Sequence, residues 1–137
     1  MEKKQDSGLS CFLIVMKFHG IPITKKQAEN LSVLDEEKQT GEIEIIQSAK
    51  ALKMRSKLCK LKLNKLKDVK APIIAKNKKG EFFIIAKSKE DKFMILFADK
   101  TQPEVKSREE LAEIWGGTAI LITKKGIMDR EAAFSFK

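Results

Sequence analysis

Few residue types in this chain can do chemistry. Among 137 residues there is one histidine, His19, and there are two cysteines, Cys11 and Cys59. Cys11 and His19 fall on one helical stretch eight residues apart, roughly 12 Å along a helix axis, too far to form a nucleophile–base pair. The sequence leaves a Cys59–His19 pairing open, beside the plainer reading of a core cysteine and a histidine at a helix end. Two cysteines and one histidine also lack the spacing of a metal site, so no metal is expected. Glu42/Glu44 and Asp35/Glu36/Glu37 read as solvated charge rather than as catalytic carboxylate pairs.

Composition narrows the field further. A chain of this length is one domain able to bury a core, and 42% apolar with 34% charged residues is an ordinary soluble balance. Lysine and arginine exceed aspartate and glutamate by 28 to 19, a formal charge of +9. A solvated lysine-rich surface is the plain explanation, and an acidic polypeptide or anionic lipid is the partner such a surface favours. Nucleic acid is not expected, because no helix-turn-helix, zinc or aromatic-platform motif is present. Both cysteines sit in apolar patterns and read as buried thiols, which suits a reducing compartment. The apolar run 9–18 is too short to cross a bilayer and has no separate cleavable signal region, so the chain as given reads as soluble.

Hydrophobic periodicity supplies the elements. Leu9, Phe12, Leu13, Val15 and Met16 recur at helical spacing, with Asp6 or Ser7 available as the cap and Gly20 and Pro22 as the stop. Because nearly every position of this helix is apolar, burial on most sides is expected. Thr24 predicts an N-cap for a helix over 25–31, and 34–40 reads as a charged loop. A third helix over 41–52 is expected to bury a stripe of Ile43, Ile46, Ala49 and Leu52. Residues 54–61 alternate as a strand, 63–69 suggest a helical turn, and 73–75 form a short buried strand. Lys78-Lys79-Gly80 reads as a hairpin turn, with strands over 81–87 and 92–97 joined by 88–91. A loop carrying Asp99 and Pro103 follows. Ser107 and Glu110 have capping-box spacing for a helix to Trp115, which Gly116-Gly117 should stop before a last strand over 118–123. Helices followed by a meandering antiparallel sheet is an α+β order.

The start of the first helix carries a resemblance. Asp6-Ser7-Gly8-Leu9-Ser10-Cys11-Phe12, followed by an apolar helix ending Phe18-His19-Gly20, resembles the opening of the cysteine peptidase domain at the N-terminus of bacteriocin exporters. That family opens on Asp-Cys-Gly-x-Ala-Cys-Leu, so its nucleophile position falls on Ser7. The resemblance implies a papain-like α+β fold, with a peptidase-like domain over 1–125 and a linker over 126–137 towards a transmembrane domain outside this chain. The family's histidine opens a strand directly after a turn, which places it on Phe82 of Gly80-Glu81-Phe82-Phe83. Its aspartate follows the next strand and falls on Asp99. The oxyanion-hole glutamine of active members, six residues before the nucleophile, falls on Met1, and Gln5 is too close to replace it.

The resemblance therefore implies a degenerate triad. Phenylalanine accepts no proton, and a serine hydroxyl without a base is hardly nucleophilic at neutral pH. No peptidase activity is expected, and restoring cysteine at position 7 should not bring it back. Alternation puts Phe82 and Ile84 on one strand face and Phe83 and Ile85 on the other, one of which must enter the core. Phe82 either packs there or lines the former cleft and contacts an extended peptide. Inactive domains of this kind resemble those heading the haemolysin-type ABC transporters of type I secretion. The implied role is docking of an unfolded, acidic, repeat-containing (RTX-type) substrate on the cytoplasmic side of the bacterial inner membrane. The parent transporter is expected to be dimeric, with ATP and magnesium confined to a nucleotide-binding domain absent here and the membrane met only through the missing transmembrane domain. The alternative is a structural or regulatory domain that contacts the transporter's own membrane or ATPase parts.

Overall fold

The computed structural model describes residues 6–29, 40–66, 69 and 71–124. Three helices come first: α1 (Ser7–Phe18), α2 (Lys25–Glu29) and α3 (Glu42–Ala51). Strands β1 (Met54–Lys60), β2 (Ile73–Asn77), β3 (Phe82–Lys89), β4 (Lys92–Phe97) and β5 (Glu104–Ser107) follow, with a 3-10 turn at Leu63–Leu66 between the first two. Helix α4 (Arg108–Ile114) then leads into the last strand, β6 (Trp115–Lys124). The sheet order is β1-β6-β2-β3-β4-β5, and every pairing is antiparallel. Among the described residues no helix is long and apolar enough to cross a membrane.

The sheet is covered on both sides. Ile74, Phe82, Ile84, Ile120 and Ile122 pack with α1 and α3 on one face. Their sequence neighbours Ile73, Phe83, Ile85 and Leu121 pack with Leu111 of α4 and Leu66 of the 3-10 turn on the other. The run Phe82-Phe83-Ile84-Ile85 is buried at all four positions, so both of its faces enter a core rather than one. A strand buried on both sides needs a continuous apolar run, which is why this segment lacks alternation.

Several local signals act as the residues predict. Thr24 Oγ1 accepts from the Gln27 N–H at 3.0 Å, and Gln27 Oε1 accepts from the Thr24 N–H. Ser107 and Glu110 form the reciprocal capping box of α4. Ser88 bridges the sheet to the segment after the 3-10 turn: its Oγ accepts from the Val69 N–H at 2.8 Å and donates to the Leu66 carbonyl.

Other expectations are corrected. Helix α1 is not buried all round: Ile14 is 36% and Phe18 55% exposed, because the sheet covers only one side of it. In α3 the expected stripe holds except at one position: Ala49 is buried and Ile46 and Leu52 pack against the core, but Ile43 is 65% exposed, and Ile45 and Ser48 are buried instead. Helical spacing fits both stripes, and only packing against α1 and the sheet decides between them. Cys59 is half-buried rather than buried, since β1 is an edge strand. The strand β5 is missing from the sequence reading, and β3 runs on to Lys89, with Glu90 at a positive φ of 58° turning the chain. Gly116 and Gly117 do not end α4. Both lie inside β6, where Gly117 at φ 97° accepts from the Leu61 N–H, and α4 stops at Ile114 instead. The expected loop over 34–40 and the end of the second helix lie, apart from Thr40, outside the described residues.

Candidate functional site

The N-terminus of α1 is fastened by one carboxylate. Asp6 accepts from the Leu9 N–H at 3.1 Å as the N-cap, and Oδ2 accepts from the Thr40 N–H and from the Thr40 hydroxyl at 2.7 Å. Asp6 rather than Ser7 is therefore the cap. This junction leaves no space at Gly8, where a Cβ would lie 2.3 Å from the Thr40 carbonyl oxygen and 3.2 Å from the Phe82 ring. Glycine is required there by close approach, not by turn geometry.

Ser7 is thereby free to face the sheet. Its Oγ accepts from the Phe82 N–H at 2.9 Å, joining the first residue of α1 to the first residue of β3. The Phe82 ring, 5% exposed, belongs to the core under α1 and α3. It also borders an open cleft of about 240 Å³, lined by Ser7, Asn77, Glu81, Phe82, Phe97, Ala98 and Asp99. The structure thus gathers Ser7, Phe82 and Asp99, the three positions the resemblance names, in one cavity. Phe82 both packs in the core and borders the cleft.

The remaining lining comes from the strand ends. Asn77 closes the β2–β3 turn: its Oδ1 accepts from the N–H groups of Lys79 and Glu81, both at 2.9 Å. Two cations lie over the phenylalanines, Lys76 at 5.7 Å from the Phe82 ring centroid and Lys100 at 5.3 Å from that of Phe97. Each is paired, Lys76 with Glu42 at 3.0 Å and Lys100 with Glu104. Neither lysine lines the cleft, whose own ionisable lining is Glu81 and Asp99.

Chemically, the cleft holds a hydroxyl that accepts from a backbone amide, and no imidazole is among its lining residues. The one histidine is elsewhere: His19 Nε2 donates to the Ile122 carbonyl at 2.9 Å, and burial lowers its pKa. Cys59 packs against the cluster on the opposite face of the sheet, so the structure does not bring it to His19. Cys11 is fully buried under α1, and desolvation, with the Asp6 charge adding, pushes its thiol up to about 12. Such a thiol is inert at neutral pH. No group of three or more potential metal ligands occurs among the described residues. Met1 and Gln5 lie outside the described residues.

Sequence reasoning missed Asn77, Glu81, Phe97 and Ala98 as cleft residues. The signals were present in part, because Asn77 precedes the recognised Lys78-Lys79-Gly80 turn and Phe97-Ala98 precede Asp99. What joins them is strand pairing, with Phe83 opposite Phe97.

Comparison with known proteins places this geometry. The peptidase domain of Streptococcus ComA, a bifunctional ABC transporter of a quorum-sensing pathway, superposes with a TM-score of 0.78 at 19% identity, over 91% of this chain and 96% of that one. The N-terminal peptidase C39-like domain of a toxin secretion ATP-binding protein from Vibrio parahaemolyticus gives 0.77 at 16% identity, over 90% and 100%. A double-glycine-motif protease from an AMS/PCAT transporter, solved with its leader peptide, gives 0.78 at 14% identity, over 91% and 89%. The fold is the α+β, papain-like one of these domains. No curated protein sequence matches the chain. The sequence does match the Peptidase C39 family from residue 1 to residue 126, a span that includes every described residue, and the chain belongs to that family.

Proposed function

We propose that this chain is a non-catalytic docking domain of a type I secretion ABC transporter. It holds an unfolded, acidic RTX-type substrate on the cytoplasmic side of the bacterial inner membrane before export. The observation that carries this reading is the side chain at position 82. The motif residues Asp6 and Gly8 are in place and Ser7 lines the cleft, while the residue in the base position that the resemblance names is a buried phenylalanine. Without a base the Ser7 hydroxyl has no route to an acyl-enzyme, and an apolar wall suits retention of a peptide rather than its cleavage. The comparisons support the setting, because the similar ComA domain belongs to an ABC transporter and a similar protease was solved with a leader peptide. In this reading residues 126–137 lead to a transmembrane domain. ATP and magnesium then belong to a nucleotide-binding domain beyond it, in a dimeric transporter.

A second reading has one observation of its own. Ile14 and Phe18, one helical turn apart on the outside of α1, are both exposed, and an apolar ridge outside the cleft suits contact with another part of a transporter. The first of two experiments tests the non-catalytic assignment that both readings share, and the second separates them. Incubation with a double-glycine leader peptide should give no cleavage, either by the protein or by its Ser7→Cys variant. Cleavage by that variant would refute the non-catalytic assignment. An amide-shift titration with an acidic repeat protein should give shifts with its denatured form and none with its calcium-folded form. Silence with both would favour the α1 ridge and a structural role.

A further inference from the structure

The charge of this domain is not at its cleft. Between Ile45 and Asp68 every charged residue is a lysine or arginine. This stretch builds the end of α3, the whole of β1 and the 3-10 turn, and β1 is an edge of the sheet, with no described strand on its outer side. Its seven residues pair with β6 from Met54↔Lys124 to Lys60↔Thr118 without a register shift, unlike the β2–β6 and β3–β4 ladders. No proline, bulge or inward-pointing charge interrupts it. The opposite edge is different: β5 has only four residues, and its Glu104 is engaged by Lys100 and Lys106.

The direction of the free backbone groups follows from the ladder. Leu61 donates its N–H to Gly117 of β6 at 2.8 Å. Alternation in an antiparallel pair then turns the N–H groups of Arg55, Lys57 and Cys59 towards β6, and the N–H and C=O groups of Ser56, Leu58 and Lys60 outward. Side chains alternate in the same way. On the face of α4 the edge presents Arg55 and Lys57, both exposed. On the face of α1 and α3 it presents Leu58, opposite the buried Ile120 and itself 46% exposed.

We propose that the outer edge of β1 captures an extended acidic segment of a partner polypeptide as an added strand. Carboxylates at alternate positions would face Arg55 and Lys57, and an apolar residue on the other face would meet Leu58. Lysines along an edge ordinarily keep copies of the same chain from pairing, because like charges would stand opposite each other. The same lysines favour a strand of opposite charge. A second copy of this domain is thus the disfavoured occupant. An oligonucleotide or lipid headgroup would satisfy the cations but leave the outward amides and carbonyls unused. The proposal deepens the docking reading, on which it rests for a polypeptide cargo, and it assigns the charge-dependent contact to a site separated from the cleft by β6.

The test uses the full chain and two acetylated peptides of equal charge, (Glu-Val)5 and (Glu-Pro)5. The second cannot donate the alternate amide hydrogens that an added strand needs. Titration with (Glu-Val)5 should move the amide signals of Ser56, Leu58 and Lys60, slow their hydrogen exchange, and show at least tenfold tighter binding than (Glu-Pro)5. Ser56→Pro removes one outward N–H and no bond to β6, and should weaken (Glu-Val)5 binding at least tenfold. Lys57→Glu, at an exposed position that keeps the fold, should do the same and serves if the proline variant does not fold. Equal affinity for the two peptides would overturn the proposal in favour of diffuse charge attraction. Slow exchange of the three amides before any peptide is added would overturn it too, because the edge would already be covered. So would concentration-dependent dimerisation through β1. Shifts confined to Ser7, Phe82 and Asp99 would overturn it while leaving cleft docking standing, and no binding at all would remove both.

Discussion

The cleft and the outer edge of β1 are built on opposite principles. Around the cleft nearly every group is committed: Asp6 is held by Thr40 and Leu9, Ser7 by Phe82, Lys76 by Glu42 and Asn77 by its own turn. Its walls are aromatic and its ionisable lining is acidic. The β1 edge is regular and basic, and exposed at Arg55, Lys57, Leu58 and Lys60. A net charge of +9 suggests attraction for an acidic partner, but it does not say where. The unbroken block of lysine and arginine lies at β1, away from the cleft that carries the family likeness. The two proposals therefore assign recognition of apolar side chains and recognition of charge to different regions of the domain.

Mutations should report this contrast as stability. Phe82→Ala removes a ring from the core under α1 and should cost about 3 kcal/mol, the lower end for a buried phenylalanine because the ring borders open space. Urea denaturation measures it, and a loss under 1 kcal/mol would mean that the ring serves the cleft alone. Asp6→Ala loses a helix cap and strands the buried Thr40 groups, with an expected loss of about 2 kcal/mol. Ser7→Ala leaves the Phe82 N–H without its acceptor and should cost about 1 kcal/mol. If the loss is nil, the hydroxyl has no structural role and its retention needs another reason. At the edge, Leu58→Ala should change stability by less than about 0.5 kcal/mol, as exposed positions away from packing usually do. A larger loss would show that the edge is part of the fold and would weaken the contrast.

The smallest effect concerns pH. Burial holds His19 below its ordinary pKa, with Lys124 acting in the same direction and the Ile122 carbonyl opposing both. The unfolded chain therefore binds a proton more readily than the folded one as pH falls below about 6.5. Stability from this residue is complete above that value and declines on acidification. His19→Gln, which can keep a donor for the Ile122 carbonyl, should narrow the fall in melting temperature between pH 7.5 and pH 5.5. An unchanged fall would trace the acid sensitivity to other groups.

Much of the fold was legible because its signals are local. The caps at Asp6, Thr24 and Ser107, the turn at Lys78-Lys79-Gly80 and the strand at Ile73 each depend on residues within a few positions of one another. The site was legible only through a motif: Ser7, Phe82 and Asp99 were named from resemblance, and nothing in their spacing brings them together. The errors were tertiary. Whether Ile43 or Ile45 is buried, whether Gly116-Gly117 breaks a helix or lies in a strand, and whether Glu104–Ser107 pairs at all depend on elements far away in sequence.

The sequence by itself determined the element order, the glycine beside the helix start, the absence of an imidazole at position 82 and the block of cations after α3. These are matters of residue identity and short-range geometry. Only the tertiary structure decided that β6 inserts between β1 and β2, leaving β1 as an edge, and that Asn77 and Ala98 share a cavity with Ser7. Strand order is set by burial of two faces at once and by pairing between distant segments. No local pattern of side chains encodes that choice.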